Sequence, residues 1–360
     1  MALFDLVFEG GGAKGMAFAG ALRVFTQAGH QHRRLIGTSA GAITATLVGA
    51  GYSADELLDA CTQSAPGTTD PIFTTFMDAP VYGNFSPAQI SASETMTLLG
   101  AAHVPSFVSK PILDELLHLD LYRELFSFNE CGGFYAGDAA LNWIRQRLVD
   151  KGLTAGVTWA EFAAAKNVDL SVLTTNVISK ESMVLNSRTA PQCPVAESVR
   201  MSMSIPFVWR EMVWQPEWGT YRGRDISGNI FVDGGVLSNF ALWLVDDTSP
   251  LVTAIMGNTD PNGAGTIGLY LDSNQPVPGA EVSDTRRPRL AAADRVTRLI
   301  DTMTDSRDLI VMRDHDDEIC RIPVGGYGTT EFRMSADRQK MLIESGATAM
   351  EAYLKTLPQA

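Results

Sequence analysis

Apolar residues recur along the chain in short runs separated by longer stretches of helical spacing. Leu3 to Phe8 is an apolar run that reads as a strand, and a glycine turn follows it. Met16, Ala19, Leu22, Val24 and Phe25 then fall in a helical pattern. Arg34 to Ile36 reads as a second short strand, another glycine turn comes at once, and Ala40 to Val48 reads as a buried helix rich in alanine. Strand, turn and helix repeated twice predict a parallel sheet covered by helices.

Residues 66 to 110 break this rhythm. Pro66, Pro71, Pro80, Pro87 and Pro105 interrupt a stretch bearing Phe73, Phe76, Tyr82, Phe85 and Phe107, the pattern of an irregular, aromatic insertion. Ile112 to Phe126 places five leucines at helical spacing and predicts one amphipathic helix, either packed on the core or capping a substrate site. Regular patterning resumes with a helix at Asp138 to Val149, strands at Leu170 to Val177 and Met183 to Asn186, and a helix from Val195 to Ile205 that stops at Pro206. Further strands are expected at Asn229 to Val232 and Leu251 to Met256. Gly257 to Pro288 reads as loop, and helices at Leu290 to Met303 and Ala336 to Leu354 close the chain.

Composition narrows the classes. The 360 residues are 45% hydrophobic and 19% charged, enough to bury a core, and general disorder is excluded. Lys and Arg number 28 against 41 Asp and Glu, a net charge of −13. That balance argues against nucleic acid, which is bound largely through cations on phosphates. It also argues against a polybasic membrane anchor, and no Lys or Arg occurs between Arg34 and Lys110. The start of the chain lacks the pattern of a signal peptide, and no stretch suits a transmembrane helix. Cys61, Cys131, Cys193 and Cys320 form no CxxC pair, so buried, reduced thiols in a cytoplasmic protein are expected.

Three glycine-bearing motifs follow predicted strands. Gly37-Thr38-Ser39-Ala40-Gly41 is a nucleophile-elbow pattern, in which small neighbours let a serine sit on a sharp strand-to-helix turn; the competing role for Ser39 is a helix N-cap. Gly10-Gly11-Gly12-Ala13-Lys14-Gly15 can turn successive backbone N–H groups toward an anion, as an oxyanion hole or a phosphate cradle. A dinucleotide fingerprint would require an acid about 20 residues later. No Asp or Glu lies between Glu9 and Asp55, which leaves only an NADP variant using Arg33 or Arg34. Asp233-Gly234-Gly235 ends a third strand, and its carboxylate is either a turn former or, if it meets Ser39, a base. His315 alone among the histidines follows Asp233, as an α/β-hydrolase Ser-Asp-His triad would require, but it sits in an acidic run. No histidine spacing suggests a metal site.

The order GGGAKG, GTSAG, a helix ending at Pro206, and DGG resembles the patatin-like phospholipase family over most of residues 3 to 240. The resemblance implies a single α/β domain over 1–360. Its fold would be a three-layer α/β/α sandwich of patatin type, with a mostly parallel central sheet, a cap-like insertion at about 66–136 and a C-terminal helical region at about 289–360. It further implies hydrolysis of lipid acyl esters, of phospholipase A or lysophospholipase type, by a Ser-Asp dyad without cofactor or metal. Ser39 matches the nucleophile, Asp233 the base, and the backbone of Gly10 to Gly15 the oxyanion hole. A phospholipid or other acyl-ester lipid is then the expected substrate, met through transient apolar contact with a membrane surface near Phe73, Phe76 and Phe107. Homo-oligomerisation stays open, and a non-catalytic lipid-binding module is the alternative outside enzymology.

Overall fold

The computed structural model describes residues 2–102, 104–258, 264–280 and 315–357. Among the described residues ten strands are present: β1 (Leu3–Phe8), β2 (Gln31–Thr38), β3 (Gly133–Tyr135), β4 (Asp169–Asn176), β5 (Glu181–Leu185), β6 (Phe207–Trp209), β7 (Met212–Val213), β8 (Ile230–Asp233), β9 (Gly265–Pro276) and β10 (Ile319–Gly325). The main sheet runs β10-β9-β1-β2-β4-β8-β7, with β5 also on β4. From β10 to β4 all strands are parallel, whereas β5 and β8 run antiparallel to β4.

Alternation along β1 shows why both faces of this sheet are covered. Phe4, Leu6 and Phe8 join a core with α1 (Ala17–Gln27), α2 (Ala40–Ala50) and α3 (Ala54–Thr62), while Val7 joins a second core on the opposite face. Asp5 interrupts the apolar run because it is buried against Arg33, whose guanidinium reaches it with bonds of 2.8 and 2.6 Å.

Helices α4 (Pro87–Ala92), α5 (Glu94–Ala101), α6 (Ser106–Leu116) and α7 (Asp120–Cys131) make the insertion more helical than its prolines suggest. Pro87 stands at the first position of α4, where its missing N–H has no intrahelical acceptor to lose. The single helix expected over Ile112 to Phe126 is two helices meeting at residues 117–119. Their buried sides, with Leu113, Leu117 and Phe126 around Phe85, form a small core separate from that of the sheet.

Helices α8 (Asp138–Asp150), α9 (Trp159–Lys166), α10 (Val195–Ser202), α11 (Trp243–Asp246), α12 (Pro250–Met256) and α13 (Ala336–Leu354) complete the description. Helix α13 packs so tightly on α1 that a Cβ on Gly20 would lie 1.9 Å from the Ile343 carbonyl oxygen, and one on Gly346 1.9 Å from that of Ala17.

Three expectations need correction. Leu251 to Met256 is helical, because Ser249 caps the Val252 N–H and Pro250 opens the first turn, and Val252, Ile255 and Met256 share one buried side. The loop expected over Gly257 to Pro288 contains β9, a strand paired along both edges by β1 and β10 despite its glycine, Asp and Asn content. The C-terminal helical region likewise contains β10, while the helix expected at Leu290 to Met303 lies outside the described residues. Among the described residues no helix is long and apolar enough to cross a membrane. Cys61, Cys193 and Cys320 are buried free thiols and Cys131 is partly exposed.

Candidate active site

Register brings the three glycine motifs together. Thr38 at the end of β2 pairs with Leu173, and the next residue of β4, Thr174, pairs with Asp233. Asp233 therefore reaches the level of Ser39 from a strand of opposite sense, not from a shared C-terminal edge. The Ser39 hydroxyl donates to Asp233 Oδ2 at 2.6 Å, and both side chains are buried. Asp233 Oδ1 accepts the Gly235 N–H at 2.7 Å. Burial pushes the Asp233 carboxyl from its ordinary 3.8 up to about 7, against the opposing pull of the bonds from Ser39 and Gly235.

Ser39 sits at φ 53°, ψ −119°, a conformation costly for a residue with a Cβ, and its side chain does not cap α2. The N-cap role is thereby excluded. The surrounding glycines hold the turn by close approach. A Cβ on Gly37 would lie 2.3 Å from the Gly41 carbonyl oxygen, and one on Gly41 would lie 2.3 Å from that of Phe8. The Ser39 N–H donates to Ser202 Oγ at 2.8 Å, so α10 braces the elbow.

The Gly10 to Gly15 loop lies against this turn, since a Cβ on Gly10 would come within 3.1 Å of the Ser39 Cβ. Its amides are not equivalent. Gly10 N–H donates to the Asn239 carbonyl (3.1 Å), Ala13 N–H to that of Thr329 (2.9 Å) and Lys14 N–H to that of Gly11 (3.2 Å). The Asn239 side chain also donates to the Gly10 carbonyl (3.2 Å) and to Glu9 Oε1 (3.1 Å), while Glu9 Oε2 accepts the Leu271 N–H at 2.5 Å. Lys14 reaches Ser273 Oγ at 2.9 Å.

Arg200 provides a second brace. It is buried, with its guanidinium on the carbonyls of Ala136 and Gly137 and on Ser204 Oγ, and burial pushes it down to about 10. The Ser204 carbonyl in turn accepts the Asp233 N–H at 2.8 Å. The chain that leaves the insertion is thus tied to the residue carrying the carboxylate.

Ser39 stands between two hollows of different character. One is a cleft of about 310 Å³ bordered by Gly10 to Gly12, Lys14, Asp233, Asn239 and Tyr327. The other is a narrow apolar space of about 50 Å³ bordered by Met16, Ile43, Phe73, Phe76, Met203 and Phe332. Phe73 and Phe76 are buried against Trp143, so the expectation that they contact a membrane is wrong; the Phe107 side chain lies outside the described ones. A wider hollow of about 1190 Å³ between β10 and α13 shares no residue with the Ser39 cleft.

The alternative chemistries are not assembled. His315 precedes β10, three strands away from β2, a lateral separation of about 14 Å at about 4.8 Å per strand. Arg33 is paired with Asp5, and Arg34 with Asp169, early in β2 rather than at its Ser39 end.

Sequence reasoning missed Glu9, Asn239, Ser202, Ser204 and Arg200. An acid ending an apolar strand was a readable signal for Glu9, and Ser202 and Ser204 lie in the segment ending at Pro206 that contributes to the family resemblance; Asn239 and Arg200 carry no periodic or motif signal.

The solved structure of VipD from Legionella pneumophila is similar at 15% identity, covering 98% of this chain and 67% of that one, with a TM-score of 0.48. The ExoU–SpcU complex of Pseudomonas aeruginosa is similar at 16% identity over 99% of this chain and 52% of that one, with a TM-score of 0.40. The uncharacterized protein YqhO of Bacillus subtilis is 27% identical over 98% of both chains. An uncharacterized protein of Acanthamoeba polyphaga mimivirus is 24% identical over 75% of this chain and 71% of that one. A family model described as Patatin-like phospholipase matches residues 6–246, more than half of the chain and a span that holds all three motifs, and the chain belongs to that family.

Proposed function

We propose that this lipid hydrolase of the patatin-like family cleaves acyl esters through a Ser39-Asp233 dyad and a covalent acyl-enzyme. The observation that carries the reading is the 2.6 Å bond from the Ser39 hydroxyl to a buried carboxylate, placed between a polar cleft and an apolar space. Asp233 accepts the proton as Ser39 Oγ attacks the ester carbonyl, then delivers it to the departing alcohol. The same carboxylate next takes a proton from water, whose oxygen attacks the acyl carbon, and returns it to the departing Ser39 Oγ, which frees the fatty acid and restores the dyad.

Because the Gly10 and Ala13 amides are engaged, the N–H groups of Gly11 and Gly12 are the loop's donors for the tetrahedral oxyanion. The apolar space takes the beginning of the acyl chain, and the cleft takes the alcohol side. Reaction with a fluorophosphonate probe and hydrolysis of a phospholipid panel test this reading. Ser39→Ala should abolish both, and Asp233→Asn should lower turnover by at least about 1000-fold. Undiminished hydrolysis in either variant overturns it.

A further inference from the structure

Among the described residues fourteen large hydrophobic side chains are exposed, and eight of them fall between residues 81 and 125. Three of the four most exposed are Val81, Leu119 and Leu121, at 61, 58 and 70%. They are neighbours in space. Arg123 donates to the Pro80 carbonyl (2.8 Å) and to those of Leu117 (3.0 Å) and His118 (2.9 Å), which ties the segment before Val81 to the turn between α6 and α7. The Tyr82 ring stacks on His118 with centroids 4.5 Å apart, and its hydroxyl bonds Asp114. Beneath the turn, Leu113 and Leu117 anchor the small core of the insertion.

We propose that Val81, Leu119 and Leu121 form an apolar knuckle that docks the enzyme onto a lipid bilayer by insertion, without a requirement for anionic lipid. The inference rests on the lipid-ester reading above. Three observations select a bilayer as the occupant.

The three side chains are each more than half exposed at a turn between helices and border none of the described hollows. Such an arrangement fits a soft apolar medium better than the matched, closely packed surface of a protein. It is also close to the acyl site: Val81 is five residues from Phe76, which borders the apolar space, so their Cα atoms are at most about 19 Å apart. One membrane surface can serve both.

Charge supplies the third argument. Residues 79–132 carry two basic side chains, Lys110 and Arg123, against six acidic ones, and the Arg123 guanidinium is taken up by three carbonyls and Asp120. That leaves the exposed Lys110 as one cation among six acidic side chains, too little to draw the segment to anionic headgroups, so the attraction is mainly apolar.

The test uses the full chain with Ser39→Ala, which prevents hydrolysis of the vesicles, in flotation with phosphatidylcholine vesicles. Val81→Ser, Leu119→Ser and Leu121→Ser combined should weaken binding at least tenfold, and adding phosphatidylglycerol should not strengthen that of the parent. With Ser39 intact, the triple variant should hydrolyse a soluble short-chain ester at an unchanged rate, which separates lost docking from lost folding. A Leu121→Trp variant should show blue-shifted emission on adding vesicles. The proposal is overturned by undiminished vesicle binding in the triple variant, by binding only to anionic vesicles, or by a dimer of the parent that the triple variant abolishes while vesicles are not bound. Vesicle binding without hydrolysis of any ester by the Ser39 form would instead overturn the lipid-ester reading and leave the knuckle standing.

Discussion

Replacing Asp233 by Asn should remove activity and at the same time stabilise the protein at neutral and alkaline pH. In the folded chain burial holds the carboxyl at about 7, against 3.8 for an ordinary aspartate. Below pH 3.8 both states are protonated and the group has no effect on stability. As pH rises, the unfolded chain ionises first while folded Asp233 keeps its proton, so stability falls until the folded carboxyl also ionises near pH 7. At about 1.36 kcal/mol per pH unit the full loss is about 4 kcal/mol, of which roughly 2 kcal/mol is already incurred at pH 5.

Asn is neutral throughout, accepts the Gly235 N–H through its oxygen and can donate to the Ser39 hydroxyl through its amide. The stability difference between Asp233→Asn and the parent should therefore grow by about 2 to 3 kcal/mol from pH 5 to pH 8. Urea unfolding of both proteins at the two pH values measures it, and every other titrating group cancels in the difference. The same ionisation should govern catalysis, with kcat/KM of the parent rising through about pH 7 as Asp233 becomes able to accept a proton. An identical pH dependence of stability in the two proteins would refute the argument, because Asp233 would then titrate alike in the folded and unfolded chains.

Other consequences follow from the same geometry. Ser39→Gly should be more stable than Ser39→Ala by about 1 kcal/mol in thermal unfolding, since only glycine relieves the backbone at φ 53°. Gly41→Ala should destabilise the fold by about 3 kcal/mol or more, because the new Cβ meets the Phe8 and Glu9 carbonyl oxygens at 2.3 and 2.6 Å. Asn239→Ala should lower kcat by about 10-fold on a soluble ester with KM little changed, by removing the side-chain bonds to the Gly10 carbonyl and Glu9 while the main-chain bond from the Gly10 N–H stays. Met203→Trp should fill the apolar space and shift preference toward shorter acyl chains, as read from kcat/KM across a series of esters.

The elements that the sequence made legible are those whose signals are local. Helix α13 begins and ends where its pattern predicts, Ala336 to Leu354, with Ser335 capping its first turn. The apolar run Leu3 to Phe8 is β1, and the elbow at Gly37 to Gly41 needs small residues for a steric reason contained within five positions and one neighbouring strand. Order along the chain was enough to connect Ser39, Asp233 and the Gly10 loop with one family.

What only the tertiary structure decided is non-local pairing and burial. Strand β9 looks like a loop because its glycines and Asp and Asn residues are turn formers. It becomes a strand because β1 and β10 satisfy its backbone on both edges, which no local pattern encodes. The aromatic insertion had the right composition for lipid contact, but periodicity does not tell which rings pack inward. Phe73 and Phe76 close on Trp143 beside Ser39, whereas Val81, Leu119 and Leu121 are left outside. The contacts of the Gly10 loop are of the same kind: the carbonyls of Asn239 and Thr329, each more than 200 residues away, accept the Gly10 and Ala13 N–H groups, a pairing that no local pattern encodes.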